Sequence, residues 1–203
     1  MYSIKSKVTC EITINKSRFI GVATPVDSEN AIKEFLENIR KEYPNATHYT
    51  YAYVLGDQGI VQKASDDGEP TRTAGYPILD VLLKNELTWI LLVVIRYYGG
   101  IKLGAGGLIR AYSKAASDAI NHASLASKTT TYKCTLRTDY DHLGSIDRYI
   151  RENTELLDVA YDLTITFTFQ INAKSLDIVR EDLFQKNNFE DQLEIVDEFS
   201  EYA

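Results

Sequence analysis

Alternating apolar and polar residues near the start of the chain predict two strands followed by a helix. The alternation covers residues 2–14 and 17–25, and Asn15-Lys16 between them is a turn candidate, so the two strands can form a hairpin. Ser28 then offers a side-chain oxygen that can cap a helix. Apolar residues at spacings of three and four predict the buried face of that helix: Ile32, Phe35, Leu36 and Ile39.

Tyrosine-rich and apolar segments predict further strands and a second helix in the middle of the chain. The tyrosines of residues 48–55 alternate, which places them on one strand face, and residues 60–64 return as a strand. A helical pattern follows around residues 77–85. Residues 88–97 have no polar break before Arg96, which predicts a central strand buried on both faces.

The predicted central strand leads into a glycine loop, residues 99–107. The loop holds five of the 11 glycines of the chain: Gly99, Gly100, Gly104, Gly106 and Gly107. Glycine adopts backbone angles closed to other residues and lets other groups approach the main chain closely. A helix with small residues such as Ala115 and Ala119 on its packing face is expected next, and the free N–H groups at its start suit an anion.

Simpler periodicity in the last third of the chain predicts a βαββαβ order, which is the split βαβ, ferredoxin-like arrangement. The expected elements are strands over 132–138, 155–161, 163–171 and 193–199, and helices over 141–153 and 173–186. Residues 123–131 are small and polar, so we place a linker there. The predicted class is therefore α+β with two domains, residues 1–130 and 131–203.

Composition points to a cytoplasmic protein. The 203 residues are 44% hydrophobic, which suffices for one large core or two small ones. No apolar run is long enough to span a bilayer and the first residues show no apolar signal region, so we expect neither export nor membrane attachment. Cys10 and Cys134 lack metal-binding spacing and are interpreted as reduced thiols.

Charge divides unevenly between the two predicted domains. Residues 1–130 hold 15 Lys and Arg against 13 Asp and Glu, or +2, whereas residues 131–203 hold 7 against 16, or −9. The acidic part would repel a phosphate backbone, so any nucleic-acid contact is expected in the first domain. The same acidic charge can also serve only to keep the protein in solution.

The glycine loop has three interpretations: a nucleotide-phosphate cradle, a contact for RNA or another anion, and a structural corner between strand and helix. It matches neither G-x-x-x-x-G-K-[ST] nor G-x-G-x-x-G, so no specific nucleotide motif is present. Arginine and lysine hold phosphates, and Tyr97, Tyr98 and Tyr112 could stack on unpaired bases. The candidate anion- or nucleic-acid-binding residues are Arg96, Gly99, Gly100, Lys102, Gly104, Gly106, Gly107 and Arg110.

An acidic turn at residues 65–70 is the second candidate site. Asp66, Asp67 and Glu69 could hold a cation such as Mg²⁺ through oxygens, or bond only their own backbone, and His48 could join them. No hydrolase motif is present, so we assign no catalytic residue, and we expect no resident metal or cofactor.

Three motifs resemble the IMPACT/YigZ family of cytosolic proteins. They are Ser17-Arg18-Phe19-Ile20, then Ser65-Asp66-Asp67-Gly68-Glu69-Pro70 with Thr73-Ala74-Gly75-Tyr76-Pro77, and the run from Arg96 to Tyr112. Thr71-Arg72 stands where Ser-Gly is common in the family, Tyr98 where Phe is common, and Thr50 where some relatives carry Cys. If the acidic turn, including Gly68, Pro70 and Arg72, bound an anion directly, Arg72 would alter that pocket.

The resemblance implies a first domain similar to the second domain of ribosomal protein S5, which is an α/β sandwich. It implies a second domain similar to domain V of elongation factor G. It also implies a link to translation, because eukaryotic relatives are translation regulators that compete for a scaffold protein activating an amino-acid-starvation kinase. Bacterial relatives share the two-domain form without a settled biochemical role.

The leading hypothesis is a non-enzymatic translation-associated protein. Its first domain would bind RNA, the ribosome, or a translation factor or scaffold. One alternative is a nucleotide- or Mg²⁺-dependent enzyme that uses the glycine loop and the acidic turn, and another is a protein-interaction module whose docking surface is the acidic second domain.

Overall fold

A computed structural model describes residues 1–187 and 193–202 of the chain. The chain divides into two compact units, which are described separately below. The N-terminal unit comprises Met1–Ser127 together with Tyr202, and the C-terminal unit comprises Lys128–Glu201.

The N-terminal unit is built on an antiparallel sheet with three helices. In chain order its elements are β1 (Tyr2–Ile4), β2 (Val8–Ile14), β3 (Ser17–Pro25), α1 (Glu29–Glu42), β4 (His48–Leu55), β5 (Val61–Ser65), α2 (Gly75–Lys84), β6 (Ile90–Tyr97) and α3 (Gly104–Asn121). The strand order in the sheet is β2-β3-β6-β4-β5. The predicted central strand is confirmed, because β6 lies in the middle and its residues from Ile90 to Arg96 are all buried.

Two apolar cores lie on opposite faces of this sheet. Helices α2 and α3 pack on one face, where Ile78, Leu82 and Tyr112 are buried against β3, β4 and β6. Helix α1 packs on the other face, through Ile32 and Ile39. The sheet is therefore covered by helices on both faces, which is the α/β sandwich that was expected.

Local signals for α1 and β4 are also confirmed. The Ser28 hydroxyl oxygen accepts the Ala31 N–H at 3.2 Å and caps α1. Tyr49 and Tyr53 are buried in the core on the α1 side, and Tyr51 packs against the same core. The alternating tyrosines thus form a core face of β4.

The C-terminal unit has the predicted βαββαβ order. Its elements are β7 (Leu125–Thr138, which starts in the N-terminal unit), a short 3₁₀ helix (Tyr140–His142), α4 (Leu143–Asn153), β8 (Glu155–Tyr161), β9 (Ile165–Asn172), α5 (Ala173–Asn187) and β10 (Leu193–Tyr202). In its sheet β9 lies between β8 and β7, and β10 also pairs with β7. Alternate residues of β9 are buried, and α4 and α5 contribute Ile146, Ile150, Val179 and Leu183 to the same core.

Two secondary-structure predictions differ from the structure. Residues 125–131 belong to strand β7 instead of a linker, because Leu125 to Ser127 pair with β1 and the β-branched Thr129–Thr131 favour extended backbone. The single strand predicted over residues 2–14 is two strands, since β1 pairs with β7 while β2 pairs with β3. Alternation in sequence continues across the break and does not reveal the change of partner.

None of the helices in the described ranges combines the length and the apolar character needed to cross a bilayer.

Replacing Gly21 with alanine should lower the free energy of unfolding by about 1–3 kcal/mol, a typical cost of overpacking a core. A Cβ at Gly21 would lie 2.7 Å from the carbonyl oxygen of Ala115 and 3.1 Å from Cβ of Ala119. Gly106→Ala is the control, because its Cβ would meet Arg110 only at 3.6 Å and alanine favours helix. Urea denaturation compares the two, and an unchanged stability of Gly21→Ala would contradict the close packing of α3 on β3.

Candidate functional site

The glycine loop and the acidic turn line one pocket of the N-terminal unit, here called the loop pocket. Four segments form its walls: the start of β4, the acidic turn, the end of β6 and the start of α3. Its volume is about 400 Å³, within the range of small-molecule sites. The residues that line it include His48, Glu69, Arg96, Tyr98, Lys102 and Gly104.

A buried ion pair connects the end of β6 to the acidic turn. Arg96 Nη1 lies 2.5 Å from Glu69 Oε1, and the two residues are only 5% and 8% exposed. The guanidinium carbon of Arg96 lies 5.3 Å from the ring centroid of Phe19 and 5.4 Å from that of Tyr98. Removing two charges from water is costly unless each compensates the other, so the charge of Arg96 is balanced within the protein.

Tyr112 and His48 complete the surroundings of the Glu69 carboxylate. The Tyr112 hydroxyl donates to Glu69 Oε1 at 2.7 Å. Burial, and next the hydrogen bond to Glu69, raises the pKa of Tyr112, so its hydroxyl stays protonated. His48 Nδ1 lies 2.8 Å from the carbonyl oxygen of Asp67, which can only accept, so Nδ1 carries a proton. His48 Nε2 lies 3.8 Å from Glu69 Oε1.

Asp66 closes the acidic turn onto the start of α2. One carboxylate oxygen accepts the N–H groups of Ala74 at 3.0 Å and Gly75 at 2.9 Å, and the other accepts that of Arg72 at 2.8 Å. Arg72 is exposed and has a φ of 63°, in the left-handed region that glycine enters without steric cost.

Asp67 ties the acidic turn to β4 and α1. Its carboxylate accepts the N–H of Tyr49 at 2.6 Å and pairs with Arg40 at 3.0 Å. Gly68 has a φ of 87°, and Pro70 accepts the N–H of Thr73 at 3.0 Å. Among the described residues no group of three or more His, Cys, Asp or Glu is arranged to hold a metal ion. The carboxylates of the turn serve three separate sets of partners.

The glycines of the loop differ in what they require. A Cβ on Gly99 would lie 2.0 Å from the backbone of Lys16, so this glycine allows the β2–β3 turn to pack against the loop. Gly100 and Gly104 have φ values of 84° and 69° and open space beside them. Gly106 and Gly107 lie in the first turn of α3. The glycine loop therefore combines a structural corner with an open helix start.

The candidate cations are placed differently from one another. Arg96 is buried, whereas Lys102 and Arg110 are exposed, and neither of these two forms a hydrogen bond or ion pair with any residue that the structure describes. Lys102 lines the loop pocket, and Arg110 projects from the second turn of α3.

The three tyrosines near the glycine loop differ in whether a base could stack on their rings. Tyr112 is fully buried, so the hypothesis that it stacks on a base is wrong. Tyr97 lies under Arg18, whose guanidinium carbon is 5.2 Å from the ring centroid. Tyr98 is 45% exposed and lines the loop pocket. Tyr98 is therefore the tyrosine of this set that a ligand in the pocket can contact.

Sequence reasoning missed the role of the Ser17-Arg18-Phe19-Ile20 motif. The Ser17 hydroxyl accepts the N–H of Gly99 at 3.1 Å, and Arg96 Nη2 donates to it at 3.5 Å. Phe19 packs below the guanidinium of Arg96. A residue spacing of 79 between Ser17 and Arg96 gives no local signal of this contact. All three sequence motifs therefore meet at Arg96.

Comparisons with known proteins cover the part of the chain that holds these motifs. The profile of the Impact N-terminal domain family matches residues 15–120. The IMPACT family member YvyE of Bacillus subtilis is 40% identical over 188 residues, 92% of this chain and 87% of that protein. The IMPACT family member YigZ of Escherichia coli is 41% identical over 142 residues, 69% of this chain and 70% of that protein. A crystal structure described only as a hypothetical protein aligns with a TM-score of 0.60 and 31% identity, covering 96% of this chain and 95% of that one.

Glu69→Gln should lower the free energy of unfolding by about 3–5 kcal/mol, because it leaves Arg96 buried without a counter-charge. Arg96→Met should be comparably harmful, since it leaves the Glu69 carboxylate buried without its guanidinium counter-charge. The double variant should recover a large part of the loss, and urea denaturation of all four proteins gives the coupling energy. Additive single effects would show that the ion pair is not a stabilising unit.

Proposed function

The chain belongs to the IMPACT family, and on that premise we propose that it is a cytoplasmic, translation-associated regulatory protein whose N-terminal unit binds RNA. The family resemblance supports the link to translation. The arrangement of cations beside the start of α3 supports the choice of RNA as the partner. Binding in this proposal is non-enzymatic.

One observation carries the proposal: two exposed cations without partners among the described residues flank an open helix start. Lys102 precedes α3, Arg110 lies in its second turn, and Leu103 before the helix has no polar side chain to cap it. The first N–H groups of a helix lack partners within the helix, and the dipole adds positive potential there. Phosphate groups are attracted by this combination.

Arg96 has a different part in this proposal. Its charge is balanced by Glu69, so it holds the loop in place while Lys102, Arg110 and the α3 N–H groups contact phosphates. The separation matters for experiments, because a variant at Arg96 would lose affinity through misfolding of the loop. Variants at Lys102 and Arg110 change surface charge without removing a described contact.

The distribution of charge along the chain favours RNA binding by the N-terminal unit. Residues 131–203 carry −9, which repels a polyanion, whereas residues 1–130 carry +2. RNA would approach the N-terminal unit from the α3 side and avoid the acidic part of the chain. The acidic part would then limit non-specific binding, since most non-specific affinity for nucleic acid comes from phosphate contacts.

The shared pocket favours a second candidate function, a nucleotide-dependent enzyme. The glycine loop and the acidic turn do meet, as such an enzyme would require. However, the carboxylates of Asp66, Asp67 and Glu69 already accept hydrogen bonds, so a Mg²⁺ ion would have to displace protein donors. Turnover of nucleoside triphosphates with Mg²⁺ by the purified chain would support this candidate over simple binding.

Charge reversal at Lys102 and Arg110 should weaken RNA binding by the full-length protein. We expect each change to remove about one phosphate contact, so the slope of log affinity against log salt should fall by about one per site. Fluorescence anisotropy with a single-stranded RNA of mixed sequence, at several salt concentrations, measures both quantities.

Lys33→Glu is the matched control, since it makes the same charge change on exposed α1 across the sheet and should leave affinity nearly unchanged. Equal weakening by Lys33→Glu would indicate a general charge effect and contradict a site at α3. Absence of RNA and ribosome binding at low salt would reject the RNA proposal and leave capture of a translation-associated protein as the remaining family-based function.

A further inference from the structure

The buried side of the loop pocket contains an unsatisfied donor. Arg96 lines the pocket, and its buried Nε has no hydrogen-bond partner among the residues that the structure describes. The other guanidinium nitrogens of Arg96 are engaged by Glu69 and Ser17. Buried polar groups nearly always have partners, so Arg96 keeps unused hydrogen-bonding capacity in the wall of the pocket.

The start of α3 offers further donors to the same cavity. Gly104 and Ala105, the first residues of the helix, line the loop pocket. Within residues 1–187 and 193–202, nothing lies within 4 Å of the place where a Cβ on Gly104 would be. An oxygen atom can therefore come close to the first N–H groups of the helix. Lys102 lies on the pocket wall and brings a full positive charge.

The charges around the pocket indicate the charge of the ligand. Arg96 and Glu69 cancel, which leaves Lys102 and the helix start as the positive groups, roughly +1.5 together when the helix contributes about half a charge. A phosphate monoester carries about −1.5 to −2 at pH 7 and presents three acceptor oxygens. A phosphodiester within an RNA strand carries a single negative charge and has chain on both sides.

The remaining walls of the pocket suit the body of a small ligand. Tyr98 exposes its ring beside the cavity, and Leu103 and Leu108 add apolar surface. Base and aromatic ring stacking is worth about 1–3 kcal/mol. A planar group attached to the phosphate could therefore stack on Tyr98 while its phosphate reaches the helix start.

From these observations we propose that the loop pocket is a binding site for a terminal phosphate, that is, a phosphate monoester such as a nucleoside 5′-monophosphate or the 5′ end of an RNA. This inference deepens the proposed RNA-binding function but concerns the pocket behind the exposed cations. Lys102 contributes to both roles, whereas Arg110 contributes only to RNA binding. The two roles can therefore be tested separately.

Calorimetry of the full-length protein with AMP and with adenosine tests the proposal first. AMP should bind and adenosine should bind at least about tenfold more weakly, since it lacks the charge-assisted hydrogen bonds of the phosphate. Lys102→Met should weaken AMP binding by about tenfold, the effect of one such bond. Arg110→Met and Lys33→Met should leave it unchanged. Equal binding of AMP and adenosine, or no binding of AMP, would overturn the phosphate site.

A pair of RNA oligonucleotides with the same sequence, one 5′-phosphorylated and one with a 5′-hydroxyl, distinguishes the source of the phosphate. Tighter binding of the phosphorylated RNA, lost in Lys102→Met, would identify RNA ends as ligands. Equal binding of both RNAs together with AMP binding would support the site and assign it to free monoesters. If the protein binds AMP but neither RNA, the proposed RNA-binding function is rejected and the phosphate site in the loop pocket is supported.

Discussion

The buried ion pair between Arg96 and Glu69 is the interaction on which the glycine-loop end of the N-terminal unit depends. It joins the end of the central strand to the acidic turn. It also holds the middle of α3, because the Tyr112 hydroxyl donates to the same carboxylate oxygen. Neither charge could remain buried alone, so each motif requires the other. Ser17 extends the same contact to the β2–β3 hairpin by accepting from both Arg96 and Gly99.

Because of this ion pair, the three basic residues near the glycine loop have two different roles. Arg96 is buried and compensated, and it fixes the loop. Lys102 and Arg110 are exposed, and the part of the chain that the structure describes supplies no partner for either. A loop that these buried contacts already hold in place loses little conformational entropy when an anion binds at the start of α3. Such preorganisation favours affinity. Two glycines contribute in different ways. Gly99 allows the loop to pack against the β2–β3 turn, and Gly104 leaves the start of α3 open.

Much of the fold was predictable from sequence, because its signals are local. The apolar run of β6, the Ser28 cap of α1 and the alternating tyrosines of β4 each follow from spacing within a short window. The strand β7 was not predictable in full, since its first residues are small and polar and gain their conformation from pairing with β1.

The sequence predicts which residues belong to the candidate site, but it does not predict which of them contact each other. From sequence alone the acidic turn is either a cation site or a self-bonded turn. In the structure Asp66 instead accepts N–H groups from Arg72 to Gly75, beyond the turn, and Glu69 pairs with the distant Arg96. Arg96 was grouped with Lys102 as an anion ligand, although its nearest carboxylate lies 27 residues away in sequence. Sequence separation of this size hides which charges are already paired.

Amide chemical-shift mapping of the full-length protein tests whether anions are recognised at the open start of α3. With a short 5′-phosphorylated RNA as the titrant, the largest shift changes should fall on the amides of Lys102 to Gly107. Changes that are confined to α1 or to the C-terminal unit would contradict the account, because those regions lack the exposed helix start beside Lys102.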